Sequence, residues 1–171
     1  MTHKYTLNIW NLAHDADVML KGIEAYKREL ERKTTELCKR CAEIGATVAA
    51  IGFSGAIYTG NQAPPDIGVQ AVDRGYKVYC NGEAVWFIEF GAGATYGYGH
   101  PEAAEHGMGP GTFPPTNPDH PHWNDPKGWY LPKSAGGGHT YGNPPNAPMY
   151  RARKDIEEKI KTIVQEVFAN D

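Results

Sequence analysis

Apolar positions recur with a helical period over the first third of the chain. Aspartates at 15 and 17 suit the start of a helix, and acid-then-base pairs four residues apart, such as Glu24 and Arg28, suit its exposed side. The pattern predicts a long amphipathic helix over residues 15–48, whose apolar stripe must be covered by another surface. The stripe contains residues seven apart and those that widen it: Ile23, Leu30, Leu37, Ile44, Tyr26, Cys41 and Val48.

A second helical period closes the chain. Pro148 fits the first turn of a helix, where its missing N–H is not needed. Asp155 precedes Lys159 by four residues, which adds an ion pair on the exposed side. We predict a C-terminal helix over residues 148–169. Its apolar stripe contains Met149, Ile156, Ile160, Ile163 and Val167.

Between the helices the period changes to that of short strands. An extended run over 67–72 is followed by "YKVYC" and then by "EAVWFIEF" at 83–90. Asn81-Gly82 joins the last two runs, and Asn-Gly is the dipeptide most typical of a two-residue hairpin turn. The pattern therefore predicts a sheet region over 66–90, in which an antiparallel hairpin around Asn81-Gly82 is joined by a third strand.

The order helix, sheet, helix indicates an α+β fold, with both helices packed on a small antiparallel sheet. A chain of 171 residues is long enough for one domain with a real core and too short for two comfortable ones. We expect six residues of the two helices to face the sheet: Leu30, Leu37, Ile44, Ile156, Ile160 and Ile163.

The segment at 91–147 has an unusual composition. It holds 12 glycines and 10 prolines in 57 residues, which predicts an extended loop. Aromatic residues are scattered along it, and disordered segments avoid such residues. A loop of this length is usually functional or disordered, and the aromatic residues favour a loop that is ordered by other surfaces. We expect neighbouring chains to bury much of it through four anchors: Trp123, Trp129, Tyr130 and Tyr141.

The composition argues against a nucleic-acid-binding, membrane or secreted disulfide-rich protein. The formal net charge of −3 gives no reason to expect nucleic acid or an anionic membrane as a binding partner. No apolar run approaches the roughly 20 residues that a bilayer span needs, and the N-terminus lacks the apolar segment of a secretory signal. The three cysteines form no disulfide framework, which indicates a protein made in a reducing cytoplasm.

Two groups of residues raise the question of a metal or redox site. Cys38 and Cys41 form a C-x-x-C pair, but no second pair exists and no strand precedes it, so we interpret them as thiols beside the apolar stripe. The loop histidines match no known zinc spacing, and we predict neither a metal nor a cofactor. The loop candidates are His100, His106, His120, His122 and His139, with Glu102, Glu105 and Asp119.

Glu89 is the one carboxylate in the apolar run. Such a group at the end of a buried strand serves as a general base, caps backbone amides, or pairs with an arginine across an interface. The glycines that follow it would suit a phosphate loop only if a helix began directly behind them, and Pro101 follows instead. The chain has no G-x-S-x-G motif. We favour a structural role for Glu89 and predict no catalytic residue.

Two short motifs resemble a known family. Phe87-Ile88-Glu89-Phe90-Gly91, with Gly93 behind it, precedes the aromatic loop, and Pro148-Met149-Tyr150 opens the last helix, with Ala152 one turn on. These are similar to the signature of the tail-completion proteins of long-tailed phages, the lambda gpZ-like group, also described as minor capsid or head–tail joining proteins. The order of helix, hairpin, loop and closing helix extends the resemblance over most of the chain. The Pro-x-Asp-Thr-Gly-x-Leu turn of many members is absent.

The resemblance implies a non-enzymatic virion protein, made in the host bacterial cytoplasm and built into the neck or upper tail. It implies a homo-oligomeric ring of six-fold symmetry around the DNA channel, next to neck, tail-terminator or tail-tube proteins. DNA would pass through without sequence-specific binding, which suits a nearly neutral chain. The aromatic loop would then make the heterologous contacts that a ring requires.

Two other functions are compatible with the residues alone. One is a small metal-dependent hydrolase that uses the loop histidines, which metal analysis of the purified protein would reveal. The other is a monomeric binding module whose aromatic loop grips a glycan or a peptide, which a measurement of molecular size would separate from a ring.

Overall fold

The computed structural model describes residues 9–56, 63–108, 125–133 and 136–169. The predicted α+β fold is confirmed, with a long first helix, a small antiparallel sheet and a closing helix. The main elements are α1 (Leu12–Ser54), β1 (Asp66–Val72), β2 (Gly75–Asn81), α2 (Val85–Phe90), β3 (Trp129–Tyr130), β4 (His139–Thr140) and α3 (Pro148–Phe168). Two short 3₁₀ turns, Ile9–Asn11 and Ala104–His106, precede α1 and follow α2.

The two long helices lie antiparallel. Pro148 at the start of α3 contacts Gly52 near the end of α1, since a Cβ added at Gly52 would lie 2.7 Å from the Pro148 Cβ. At the other end of α3, the Lys33 ammonium lies 5.8 Å from the centre of the Phe168 ring. At about 1.5 Å per residue, α1 is roughly twice as long as α3, so α3 covers only its second half.

The sheet next to these helices has two strands. Asp66 pairs with Asn81 and Val72 with Gly75, so the hairpin turns at Asp73-Arg74. The hairpin packs on α1, where the position of a Cβ at Gly45 would lie 3.4 Å from Val78 and 2.7 Å from Ile156. One glycine of α1 thus allows both the sheet and α3 to approach closely.

The predicted hairpin around Asn81-Gly82 is wrong. Val85–Phe90 is a short helix, so the sheet at 66–90 ends with β2 and contains two strands instead of three. A short apolar run does not reveal its period, because an unbroken series of apolar residues suits a helix and a strand equally. Asp73-Arg74 already closes the hairpin with β1, and Gly82, with a φ of 158°, leads the chain out of the sheet.

The core lies near the C-terminal end of α1. Its central cluster is Ala49, Phe53, Ala84, Ile88 and Ala152. Ile163 is also buried, as predicted, and Ile156 packs at Gly45. Leu30 and Ile160 were expected to face the sheet, but their exposed fractions are 43% and 42%. The prediction was wrong for Leu30 because it precedes Lys33, where the end of α3 lies on α1. It was also wrong for Ile160, although Ile163 and Val167 further along α3 are buried.

Candidate functional site: a buried carboxylate at the start of the last helix

Glu89 lies at the C-terminal end of α2, and the fold buries it. Its Oε2 accepts a hydrogen bond from the backbone N–H of Met149 at 2.8 Å, and its Oε1 accepts one from the N–H of Tyr150 at 3.0 Å. Oε1 also lies 3.2 Å from Nε2 of His100. The carboxylate therefore joins three parts of the chain: α2, the loop after it, and the first turn of α3.

The first turn of α3 needs these hydrogen bonds. The first amides of a helix have no partner within the helix, and a side chain at the N-cap position usually supplies one. Here the N-cap residue is Ala147, which is in the left-handed region with a φ of 48° and has no polar side chain. Glu89 takes over the role from a distant part of the sequence. Its negative charge also interacts favourably with the helix dipole at that end.

His100 supports the carboxylate from the loop side. The backbone N–H of Glu102 donates to His100 Nδ1 at 3.1 Å. Since Nδ1 is an acceptor, Nε2 carries the proton and donates to Glu89. The imidazole packs between two rings, 4.4 Å from the centre of Phe90 and 5.7 Å from that of Tyr150. Its place and its tautomer are both fixed by neighbours within the same chain.

Residues 142–147 hold α2 against the start of α3. Ala92 and Asn143 exchange two backbone hydrogen bonds, of 2.8 and 3.1 Å, and the Asn143 side chain donates to the Phe87 carbonyl at 2.8 Å. The N–H of Asn146 donates to the Ile88 carbonyl at 2.8 Å, and its side chain donates to the Gly52 carbonyl at 3.1 Å. The last carbonyls of α1 and α2 thus gain partners from one short segment.

Two glycines of the motif are required by this packing. Gly91 has a φ of 78°, and a Cβ there would lie 2.7 Å from the Pro145 nitrogen. Gly93 has a φ of 83°, and a Cβ there would lie 2.7 Å from the Tyr141 carbonyl oxygen and 2.9 Å from the Trp129 ring. Any side chain at either position would strain the backbone and displace the segment that crosses it.

The structure brings the predicted motif residues together around one helix start. These are Phe87, Glu89, Phe90, Gly91, Gly93, Pro148 and Met149, of which Pro148 is fully buried. Sequence reasoning missed Asn143, Asn146 and the role of His100. The only signal was the run "GNPPNAP", since Asn-Pro dipeptides mark turns.

The loop at 91–147 is ordered in part by its own chain. Gly91, Ala92, Gly93, Gly97 and His100 are buried within the subunit. Part of the loop therefore packs within its own subunit, and burial of the remainder by neighbouring chains stays a prediction.

The four predicted anchors of the loop differ in their surroundings. Trp129 packs against Gly93 in its own chain. Tyr130 is 80% exposed and Tyr141 is also exposed, so both are accessible to a neighbouring subunit. Trp123 lies outside the described residues.

The described histidines of the loop interact with rings, and His100 also with Glu89. The His106 ring lies 5.4 Å from Phe90, and His139 packs on Tyr130 and Tyr141. Over the described ranges, no group of three or more His, Cys, Asp or Glu side chains could hold a metal ion. His120, His122 and Asp119 lie outside those ranges.

The three thiols are free and half-buried. Cys38 and Cys41 lie within α1, in agreement with the interpretation of the C-x-x-C pair. Burial raises the pKa of Cys41. Burial, followed by the charges of Glu89 and Asp66, raises the pKa of Cys80 to about 11. A thiol with a raised pKa is a poor nucleophile at neutral pH, because the thiolate is the reactive form.

The geometry of Glu89 suits a structural cap better than a catalytic base. A general base must come within hydrogen-bond reach of a substrate proton. The side chains of Glu89 and His100 are only 8% and 2% exposed, and their polar atoms bond to each other and to backbone amides. The site holds a helix in place instead of presenting a reactive group.

The chain matches no profile of a known protein family, no curated protein and no solved structure. In the part of the chain that the structure describes, no helix is both long enough and apolar enough to cross a membrane.

Proposed function

We propose that this protein is a structural component of a long-tailed phage virion, a tail-completion subunit that forms a ring around the DNA channel at the head–tail interface. It assembles with copies of itself and contacts neighbouring neck, tail-terminator or tail-tube proteins. It holds no cofactor and catalyses no reaction. DNA passes through the ring without sequence-specific contacts.

One observation carries the proposal. Glu89-Phe90-Gly91 and Pro148-Met149-Tyr150, the two motifs that resemble the tail-completion family, meet in a single hydrogen-bonded unit. Their co-occurrence in one sequence has a physical reason, because the first motif supplies the cap that the second one lacks. The two motifs together form a capped helix start and not a reactive site, which favours a function in assembly.

The surface of the loop supports the same function. The segments that flank Gly93 are fixed to the subunit, while Tyr130 and Tyr141 point outwards from the small β3–β4 sheet. Exposed tyrosines on an anchored loop are typical of interface hot spots, since they bury a large area at a low cost in conformational entropy. In a closed ring, one surface of each subunit contacts a different surface of the next copy, and the exposed tyrosines would form one of these two surfaces.

Deletion of the gene from the phage or prophage that encodes it tests the proposal. We expect DNA-filled heads and separate tails that fail to join, visible by electron microscopy, and a loss of infectious particles. The wild-type gene supplied in trans should restore joining. A gene that carries Glu158→Gln, a change on an exposed position of α3, is the control and should restore the joining of heads and tails as well as the wild-type gene does. Complete, infectious particles without the protein would contradict the proposal.

A further inference from the structure

The Asn81-Gly82 dipeptide lies at the junction between β2 and α2, and not at a hairpin turn. Asn81 is the last residue of β2 and pairs with Asp66, and Gly82 follows it outside the sheet. Both residues are exposed. The sequence contains no second Asn-Gly. The covalent chemistry of this dipeptide is therefore open to solvent at one place in the fold.

An asparagine that precedes a glycine reacts with its own backbone. The glycine nitrogen attacks the side-chain carbonyl carbon of the asparagine, a C–N bond forms, and ammonia leaves to give a cyclic succinimide. Water then opens the ring at either carbonyl, and the product is aspartate or isoaspartate. The reaction consumes one water, releases one ammonia and needs no oxidant or reductant. Glycine hinders the attack least because it has no Cβ.

Both reacting groups of the dipeptide are unrestrained. Among the described residues, none forms a hydrogen bond with the side-chain amide of Asn81, and none accepts one from the N–H of Gly82. The Gly82 carbonyl accepts from the N–H of Val85 at 3.4 Å, which does not involve the attacking nitrogen. Ring closure requires the peptide between the two residues to rotate. Because Asn81 ends the ladder, only its pair with Asp66 has to open.

Asn146 is a contrasting case in the same chain. Its side chain donates to the Gly52 carbonyl at 3.1 Å and accepts a hydrogen bond from the Arg151 guanidinium. The nitrogen that would attack it, that of Ala147, donates to the Glu89 carbonyl at 3.2 Å. Since both reacting groups are held by hydrogen bonds, the fold should suppress the reaction at Asn146.

We propose that Asn81 is a site of spontaneous deamidation in the folded protein, where attack by the Gly82 nitrogen converts a neutral amide into a carboxylate. The new negative charge lies directly opposite Asp66. Like charges at directly opposite positions destabilise an antiparallel pair. Glu83, which is also exposed, is a further acid close in sequence. The modification therefore weakens the end of the hairpin that leads into α2.

The isoaspartate product also changes the backbone. Its main chain passes through the former side chain, which adds one methylene group between β2 and α2. This junction is closely packed, since a Cβ at Gly82 would lie 3.3 Å from the Pro65 Cα and 3.4 Å from the Val85 side chain. A longer link thus disturbs the contact between the start of α2 and the sheet. The modification goes beyond the proposed function and does not depend on it.

Peptide mass mapping of the full-length wild-type protein, incubated in buffer and in urea, tests the proposal. Deamidation exchanges an NH₂ group for OH, and electron-transfer fragmentation separates isoaspartate from aspartate. We expect Asn81 to react in the folded protein at no less than about a tenth of its rate in urea, because only the end of the ladder has to open. Folding should slow the reaction of Asn146 by a larger factor.

Two results of this mapping would overturn the proposal. One is an unmodified Asn81 in buffer after an incubation that converts it in urea. The other is a protection of Asn81 by folding that equals or exceeds that of Asn146.

Variants at position 81 test the effect of the new charge. Asn81→Asp should lower the urea midpoint of unfolding, whereas Asn81→Gln, which keeps a neutral amide, is the control and should retain the wild-type midpoint. Asp66→Asn should remove the effect of Asn81→Asp, because it removes the opposing charge. A loss in midpoint that persists in the Asp66→Asn background would contradict the charge effect.

Discussion

The Glu89 carboxylate caps the amide of Met149 across a sequence separation of 60 residues, with an N···O distance of 2.8 Å. The hydrogen bond connects the end of a short helix to the start of a long one. Everything that lies between them in the sequence, including the glycine- and proline-rich loop, is thereby closed into one large loop with a fixed base. The carboxylate therefore has a structural role.

Glu89→Gln should destabilise the subunit by about 2 kcal/mol, as expected for the loss of charge-assisted hydrogen bonds in a buried site. The amide group retains one acceptor oxygen, so it can satisfy only part of what the carboxylate satisfies. Urea unfolding followed by circular dichroism measures the change. Glu158→Gln makes the same chemical change on an exposed position of α3 and should have almost no effect. Equal midpoints for the two variants would contradict the capping role.

The sequence predicted the two long helices because their apolar stripes continue for many turns. For α1, the predicted range 15–48 starts three residues late and ends six residues early against Leu12–Ser54; for α3, 148–169 ends one residue late against Pro148–Phe168. The run at Val85–Phe90 was misassigned because six residues, five of them apolar, are too few to show a period. The helix that Glu89 caps could not be predicted, since these hydrogen bonds are from backbone amides, which every sequence has.

Gly52→Ala should destabilise the subunit although alanine is the better helix former by about 1 kcal/mol. The added Cβ would lie 2.7 Å from the Pro148 Cβ and 3.2 Å from its Cα, and a buried proline cannot rotate away. We expect a net loss of about 1–3 kcal/mol in thermal or urea unfolding. Gly45→Ala is the comparison, because its Cβ meets the flexible end of Ile156 and should cost less. A more stable Gly52→Ala variant would show that the helices are not in close contact here.

Cys80 should resist alkylation in the folded protein. Burial raises its pKa from 9.0 to about 11, so between about pH 9 and 11 the folded thiol stays protonated while the unfolded one ionises. The same shift makes its contribution to stability constant below about pH 9 and declining as the pH rises towards 11. Iodoacetamide labelling with peptide mass mapping, in buffer and in urea, measures the protection. The same rate for Cys80 in both conditions would contradict this prediction.

Trp129 and Tyr130 should have opposite phenotypes although they are adjacent. Trp129 packs on Gly93 within the subunit, so Trp129→Ala should lower the free energy of unfolding by roughly 1–3 kcal/mol. Tyr130 is 80% exposed, so Tyr130→Ala should leave unfolding unchanged and weaken assembly. Urea unfolding and complementation of the gene deletion separate the two effects. Normal assembly by Tyr130→Ala would place the subunit contact on another surface.

The loop shows where composition alone is insufficient. Many glycines and prolines indicated a segment without its own core, and the described parts do lack long elements. The packing of Gly91, Gly93 and His100 within the subunit was not foreseeable, because it depends on close contacts such as that between Gly93 and Tyr141, whose residues are far apart in sequence. The exposure of Tyr130 follows equally from three-dimensional packing, since nothing in its sequence context distinguishes it from Trp129.

Quantitative mass spectrometry of purified phage particles tests the central claim most directly. Labelled standard peptides from a helix such as α3 would give the number of copies of this protein relative to a major tail protein. We predict a constant, small whole number of copies in every intact particle, as one ring requires, and their loss from heads that have not joined a tail. Absence of the protein from intact particles, while it is abundant in the infected cell, would contradict the account.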